Sequence, residues 1–506
     1  MTIGASGVEA GDVVAVARDG ANVALGTDAM EAMDRAAEIV AGYAASGEPV
    51  YGVSTGFGAL ATRFISQDER AQLQRSLVRS HAAGMGPPVE TEVVRAMVFL
   101  RVRTLAMGRS GARPVVAERL VDLLNAGLTP VVPEHGSLGC SGDLAPLAHV
   151  ALCLIGEGTV VDRVGVARPA GDALAANGIE PVELGAKEGL ALINGTDGML
   201  GQLVLAIADL RALLKTADLT AAFSVEALLG TDRAFAADLQ ALRPHPGAAA
   251  SAANLRLALA GSSIVASHRV GDPRVQDAYS LRCTPQVHGA ARDALDFAAG
   301  VADIELRSAI DNPMVLADGR VESCGNFHGA PLAHACDLLA IVVADVAAIS
   351  ERRVDRLLDH TRSHGLPPFL APDAGVDSGL MIGHYTAAAL VAEAKRLAAP
   401  ASVDSIPTSG MQEDHVSMGW AAARKLRRSV DALRGVLAVE FVAGAAGIDL
   451  RAPLTPAPAT GAARDVLRSE VASPGRDRFL APELAAASRL LTAAVAAAEA
   501  ATAPFA

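Results

Sequence analysis

The most chemically suggestive residues in this chain are Cys140, Ser141 and Gly142, in the stretch Val132–His149, VPEHGSLGCSGDLAPLAH. In the plainest reading, a tight turn leads into a helix starting near Asp143, with Asp143 as N-cap. A cysteine nucleophile at Cys140 is a second reading. A dinucleotide fingerprint fits poorly, because Gly136, Gly139 and Gly142 are spaced GxxGxxG with no clear strand before them. Backbone chemistry is a further reading. If the Gly142 nitrogen attacks the Cys140 carbonyl carbon, a five-membered ring closes. Loss of water from that ring and of the Ser141 hydroxyl leaves an imidazolone with an exocyclic methylene, which is an electrophile. Glycine is needed at the attacking position because a Cβ would crowd the turn, and serine at the centre because a β-hydroxyl must leave.

Arg282 is the best anchor for a carboxylate, since a guanidinium forks onto it with two parallel hydrogen bonds. Tyr279 precedes it by three residues and shares its face if the segment is helical. Gln276 lies three residues further back. Tyr51 carries a phenol, whose ordinary pKa near ~10 makes it a poor base unless cationic or hydrogen-bonding neighbours stabilise the phenolate. Asn194, in INGT, reads by itself as a turn residue. Phe327 and Met381 read as core residues, His81 as a buried histidine and Glu413 as a carboxylate at a helix N-terminus. The histidines show no HExxH or other metal spacing, so no metal is expected. With only Lys187, Lys215, Lys395 and Lys425, candidates for a Schiff-base lysine are few.

Helical periodicity dominates the elements that must hold these residues. In Ala333–His360, Leu339, Val342, Val346 and Ile349 recur at three- and four-residue steps. Further helices are expected over Asp28–Ala45, Ala71–His81, Glu90–Leu105, Met199–Thr216, Asp293–Ile304, Gly379–Ala398 and Ser417–Ala446. Strands are expected at Val13–Ala17, Val23–Leu25 and Thr159–Val166, and an extended loop at 451–465. The pattern is mainly α, with a long central helix bundle, a smaller N-terminal lobe and a C-terminal helical cap. The expected divisions are 1–195, carrying the tripeptide, 196–430 and 431–506.

Composition removes several functions. At 506 residues the chain is long enough for about three domains. A net charge of −13, 3% aromatic residues and a single Trp argue against nucleic acid. No run of 18 residues lacks a charge, which argues against a membrane span. The five cysteines are scattered and never spaced CxxC, and the N-terminus lacks a basic-then-apolar leader pattern, so a reducing cytoplasm is expected.

The tripeptide segment resembles the signature of the aromatic amino-acid ammonia-lyases, which build 4-methylidene-imidazol-5-one (MIO) from such a sequence. Their pattern is usually Ala-Ser-Gly; Cys140 replaces the Ala, and that residue contributes only its carbonyl carbon to the ring. Further segments match in order along nearly the whole chain: YGVSTGFG (51–58), SHAAG (80–84), EGLALINGT (188–196), VQDAYSLRCTPQVHG (275–289), DNPMV (311–315), GNFHG (325–329) and PASVDSIPTSGMQEDHVSM (400–418).

The resemblance implies a fumarase/aspartase-like fold. It makes Tyr51 the catalytic base, sets Tyr279 and Phe327 beside the electrophile, and has Asn194 bonding the electrophile or the substrate carboxylate. Gln276 and Met381 become pocket residues. Within the family the histidine-acting enzymes are the nearest pattern. The Ser80-His81 pair stands where phenylalanine enzymes usually carry an apolar residue, and Glu413 stands where an amide is usual. A carboxylate and an imidazole can bond the two ring nitrogens of histidine. The implied activity is elimination of ammonia from L-histidine to trans-urocanate. The implied assembly is a homotetramer with sites shared between subunits, and no PLP or nucleotide. A tyrosine or phenylalanine lyase or aminomutase is the nearest alternative, and a non-catalytic helical binding protein a more distant one. Three positions depart from the pattern: His384 where Gln is frequent, Ala394 where Asn is frequent, and Met411 near a frequent Asn.

Overall fold

A computed structural model of the chain describes all residues except 47–48, 57, 59–62 and 67–68. The protein is mainly α, as expected: among the described residues there are nineteen α-helices and only short strands. Two compact units form from interleaved segments. The first comprises Met1–Ala206, Ala299–Asp337 and Pro400–Arg424; the second comprises Ile207–Ala298, Leu338–Ala399 and Lys425–Ala506.

In the first unit the helix Thr91–Ala106 is buried without a break from Val93 to Ala106. A helix buried all round must satisfy any charge it carries inside the protein. Arg95 donates to the Val16 carbonyl at 2.8 and 3.1 Å. Arg101, on the same helix, reaches the Ala191 carbonyl at 2.8 Å and the Asp197 carboxylate. The unit also holds two short antiparallel pairings, the first of which leads into the tripeptide segment. Met85–Pro88 pairs with Pro133–His135, and Met314–Val315 with Val321–Glu322.

Several local expectations change. Val13–Ala17 is not a strand but the middle of the helix Ala10–Arg18, burying Val13, Val16 and Ala17. A five-residue apolar run does not reveal its period. The start is set by Asp12, whose carboxylate accepts the Glu9 N–H at 2.9 Å. Thr159–Val166 is a hairpin, Thr159–Val161 against Ala167–Pro169, turned by Asp162 Oδ1, which accepts from the Val164 and Val166 amides. The loop expected at 451–465 gives way to a helix, Pro458–Arg468, with proline in its first turn.

In the second unit a buried Arg353–Glu440 pair lies between long helices, and Thr220, Ser224 and Ser350 donate to the same carboxylate at 2.9, 2.7 and 2.6 Å. Among the described residues two helices, Ala330–Leu358 and Ala481–Ala501, are long and apolar enough by composition to cross a bilayer; 61% of the first one's apolar window is buried inside the protein.

Candidate active site

In the first unit, Tyr51, His81, Ser141, Asn194 and Glu413 line one cavity of about 520 Å³. An adjoining cavity of about 440 Å³ shares Tyr51, Ser141 and Glu413 and adds Cys140 and Phe327. Ser141 stands where the two meet.

The tripeptide is held from several directions. Met418 N–H donates to the Leu138 carbonyl at 2.8 Å, and Ser417 Oγ donates to the Gly139 carbonyl at 2.9 Å. Asp143 N–H donates to the Gly195 carbonyl at 2.7 Å. Gly142 has φ +80°, and a Cβ there would stand 2.2 Å from the Gly195 oxygen. Only glycine fits this position. A compressed turn with no room at its third residue, and a hydroxyl exposed to a cavity at its second, is the arrangement that the ring closure needs.

Asp143 occupies the N-cap position, as expected, but does not cap its own helix Leu144–Leu154. Its Oδ2 accepts the Met199 N–H at 2.9 Å, in the first turn of the helix Asp197–Ala227. Burial pushes this carboxyl up to about 7, against the lowering effect of the Met199 and Ser137 hydrogen bonds.

His81 ends the helix Arg70–His81. Its Nδ1 lies 2.9 Å from the Leu77 carbonyl, which can only accept. Nδ1 therefore carries the proton and Nε2 remains an acceptor. Burial lowers the His81 pKa, so the ring is neutral. The following segment is fixed by the Gly84 N–H, which donates to His149 Nε2 at 3.1 Å.

Glu413 closes a tight loop on Thr408. Backbone bonds of 3.0 and 3.3 Å join the two residues, and Thr408 Oγ1 donates to Glu413 Oε2 at 2.9 Å. Between them, Ser409, Gly410 and Met411 all have positive φ. Two of these are not glycine, so the loop that presents Glu413 carries backbone strain.

Tyr51 Oη accepts the Gly58 N–H at 3.2 Å. That bond lowers the phenol's pKa, but burial first and the Glu413 carboxylate after it raise it further, and the net shift is upward. The stabilisation of a phenolate that a catalytic base requires is not supplied by these neighbours.

Residues 8–469 match the sequence profile of the aromatic amino acid lyase family. The chain belongs to that family. It is 63% identical to a histidine ammonia-lyase of Streptomyces avermitilis, over 100% of this chain and 99% of the relative. To a histidine ammonia-lyase of Deinococcus radiodurans it is 51% identical, over 93% and 90%. Among solved structures, a tyrosine aminomutase from Streptomyces globisporus superposes with a TM-score of 0.94 at 37% identity, covering 99% of both chains. A histidine ammonia-lyase from Trypanosoma cruzi superposes at 0.91 and 37% identity, covering 99% and 95%.

In this aromatic amino acid lyase the remaining expected site residues, Gln276, Tyr279, Arg282 and Met381, belong to the second unit and line neither cavity. Three of them cluster. Arg282 bonds the Gln276 amide oxygen and lies over the Tyr279 ring, 4.6 Å from its centroid. Tyr279 and Arg282 share the single turn Tyr279–Arg282, and Tyr279 is 71% exposed. Met381 opens the helix Met381–Leu397, next to His384, whose Nε2 bonds Glu351 at 2.6 Å. The expected His384 departure is thus tied to a buried carboxylate of its own unit.

Sequence reasoning passed over three supports of the site. Asp311 and Asn312 bond the Asn194 amide and Lys187 bonds Asp311, and the signal present was the DNPMV match.

Proposed function

We propose that this chain is a histidine ammonia-lyase that converts L-histidine to trans-urocanate and ammonia, using an MIO group formed from Cys140, Ser141 and Gly142. The observation that carries the reading is the shared cavity of Ser141, His81 and Glu413. Cys140, Ser141 and Gly142 would form this group, and its exocyclic methylene would supply an electrophile for the substrate amine. Around it, the chain's own residues bind and orient. The neutral His81 offers Nε2, and Glu413 a carboxylate, to the two N–H groups that a protonated substrate imidazole carries. Leu77, Leu144, Leu190 and Ile193 on the same cavity walls exclude water from the ring.

Tyr51 takes the β-proton, which requires positive charge nearby to offset burial. The Gln276–Tyr279–Arg282 cluster of a neighbouring copy supplies that charge and anchors the substrate carboxylate. The 71% exposure of Tyr279 in the single chain supports this reading. The assembly is then a homotetramer, working in the cytoplasm with no metal, PLP or nucleotide. The acidic surface gives no footing to nucleic acid.

The test is incubation of the purified protein with L-histidine, L-tyrosine and L-phenylalanine, with identification of products. Urocanate from histidine at the highest kcat/KM is expected. Faster turnover of tyrosine, or a β-amino acid product, would favour the aminomutase-like alternative on the same fold.

A further inference from the structure

Gly195 touches both the tripeptide and a buried ion pair. It forms a parallel bridge with Gly142, and its carbonyl accepts the Asp143 N–H at 2.7 Å. A side chain at position 195 would run into the Arg101 guanidinium and the Asp197 carboxylate. Glycine is therefore needed here for room, as it is at position 142.

Arg101 holds the chain on both sides of that glycine. Its Nη1 donates to the Ala191 carbonyl at 2.8 Å and to the Asn194 carbonyl at 3.3 Å. Its Nε donates to Asp197 Oδ2 at 2.9 Å, and its Nη2 bonds the same oxygen. Thr104 Oγ1 donates to the other Asp197 oxygen at 3.1 Å. Arg101 and Thr104 both stand on the helix Thr91–Ala106, whose burial from Val93 to Ala106 makes it a rigid backing. Both members of the ion pair are buried as well. Desolvation offsets much of the attraction in such a pair, so stability alone is a weak reason for it. Its bonds to Asn194 and Asp197, on either side of Gly195, point to a geometric task.

We propose that the Arg101–Asp197 pair clamps Gly195 against Gly142 and thereby promotes the ring closure of Cys140, Ser141 and Gly142. This rests on the electrophile reading above and concerns how the group is made, not how it is used. Closure joins the Gly142 nitrogen to the Cys140 carbonyl carbon. The carbonyl oxygen leaves as one water with the Gly142 and Ser141 amide hydrogens, and the Ser141 hydroxyl leaves as a second with the Ser141 Cα hydrogen. No oxidant or reductant is required. The attacking nitrogen must be kept at short range, because an open turn lets it retreat. With Gly195 fixed, Gly142 has no room to fall back toward it. Arg101 and Asp197 act through Gly195 and are positioning residues.

Intact mass reads the loss of two waters directly, with no substrate present. The wild type and the double variant Arg101→Met/Asp197→Asn, which leaves no unpaired charge, are followed over time after cell-free synthesis. The wild type is expected to lose both waters, and the variant to lose them roughly a hundredfold more slowly, as for reacting atoms misplaced by about 1 Å. A control, Arg353→Met/Glu440→Gln, removes the buried pair of the second unit and is expected to mature at the wild-type rate. Circular dichroism establishes that each protein is folded. Where Arg101→Met/Asp197→Asn does not fold, Arg101→Lys takes its place. Lysine keeps the charge beside Asp197 but gives up the fork that reaches the Ala191 and Asn194 carbonyls, and closure is expected to slow roughly tenfold. Closure at the wild-type rate in a folded Arg101 variant overturns the proposal, and so does equal slowing in the Arg353/Glu440 control. If the wild type itself keeps both waters, the electrophile reading has failed and the clamp falls with it.

Discussion

Glu413 Oε1 stands 3.5 Å from the hydroxyl oxygen of Ser141, across 272 positions of sequence. The contact sets the carboxylate beside the carbon that becomes electrophilic when the hydroxyl leaves. It is also why Glu413 has two roles open to it, binding the substrate ring and moving a proton.

Ser141→Ala is expected to abolish lyase activity and leave the fold intact. The side chain is small, and among the described residues its hydroxyl makes one long contact, to Glu413. Intact mass gives an independent readout, since the wild type should weigh two waters less than its sequence and the variant should not. Gly142→Ala should fail for another reason, because its Cβ would fall 2.2 Å from the Gly195 oxygen. Wild-type turnover by Ser141→Ala would remove the electrophile from the mechanism.

Cys140→Ala is expected to keep activity. Burial and then the neighbouring Glu413 carboxylate push the Cys140 thiol up to about 12, so a thiolate nucleophile is unavailable at neutral pH. The ring requires only the carbonyl carbon of this residue. An inactive but folded Cys140→Ala, together with inactivation of the wild type by a small alkylating reagent, would argue for cysteine chemistry instead.

Specificity is expected to follow His81 and Glu413. A pocket whose polar groups are buried rejects a ring that leaves them unpaired, at about 1–3 kcal/mol for each group. His81→Leu and Glu413→Gln should each lower kcat/KM for histidine more than for phenylalanine. Equal losses on both substrates in Glu413→Gln would assign that residue to proton transfer. An unchanged ratio in both variants would remove the imidazole argument.

Shared sites predict complementation. Ser141→Ala and Arg282→Ala should each be inactive alone. Co-expressed, they should recover up to about a quarter of wild-type activity, because some sites then draw an intact Ser141 from one copy and an intact Arg282 from another. No recovery from verified mixed oligomers would mean that Arg282 serves no other copy's site.

The reach of the sequence depended on which physical signal each element left. The long helices were legible because Leu339, Val346 and their neighbours repeat over many turns. Val13–Ala17 was misread because the run is too short to fix its period, and the deciding cap is a single aspartate. The tripeptide, His81 and Glu413 were legible as motifs, and the cavity does bring them together. The Asn194 support was not, because it joins residues 187, 194 and 311 through buried polar contacts that leave no periodic trace. Asp143 is the clearest instance of position without partner. Its cap position was legible, but not that its carboxylate serves a helix beginning more than fifty residues later.

That carboxylate gives a pH-dependent prediction. Burial pushes Asp143 up to about 7, whereas an unfolded aspartate titrates near ~4. The folded state therefore binds this proton more tightly than the unfolded chain. The stability it contributes is fully present below about pH 4 and is lost as the pH rises through about 7. Asp143→Asn keeps the shape and an acceptor for the Met199 N–H but cannot ionise. Relative to this variant, the wild type should lose Tm steadily between about pH 5 and pH 8, and the free-energy gap should change by about 1–4 kcal/mol over that range. Other titrating groups are common to both proteins and cancel in the difference. Thermal unfolding of both at matched protein concentration checks this, and a gap that stays constant across the range would mean that Asp143 is already ionised within the fold.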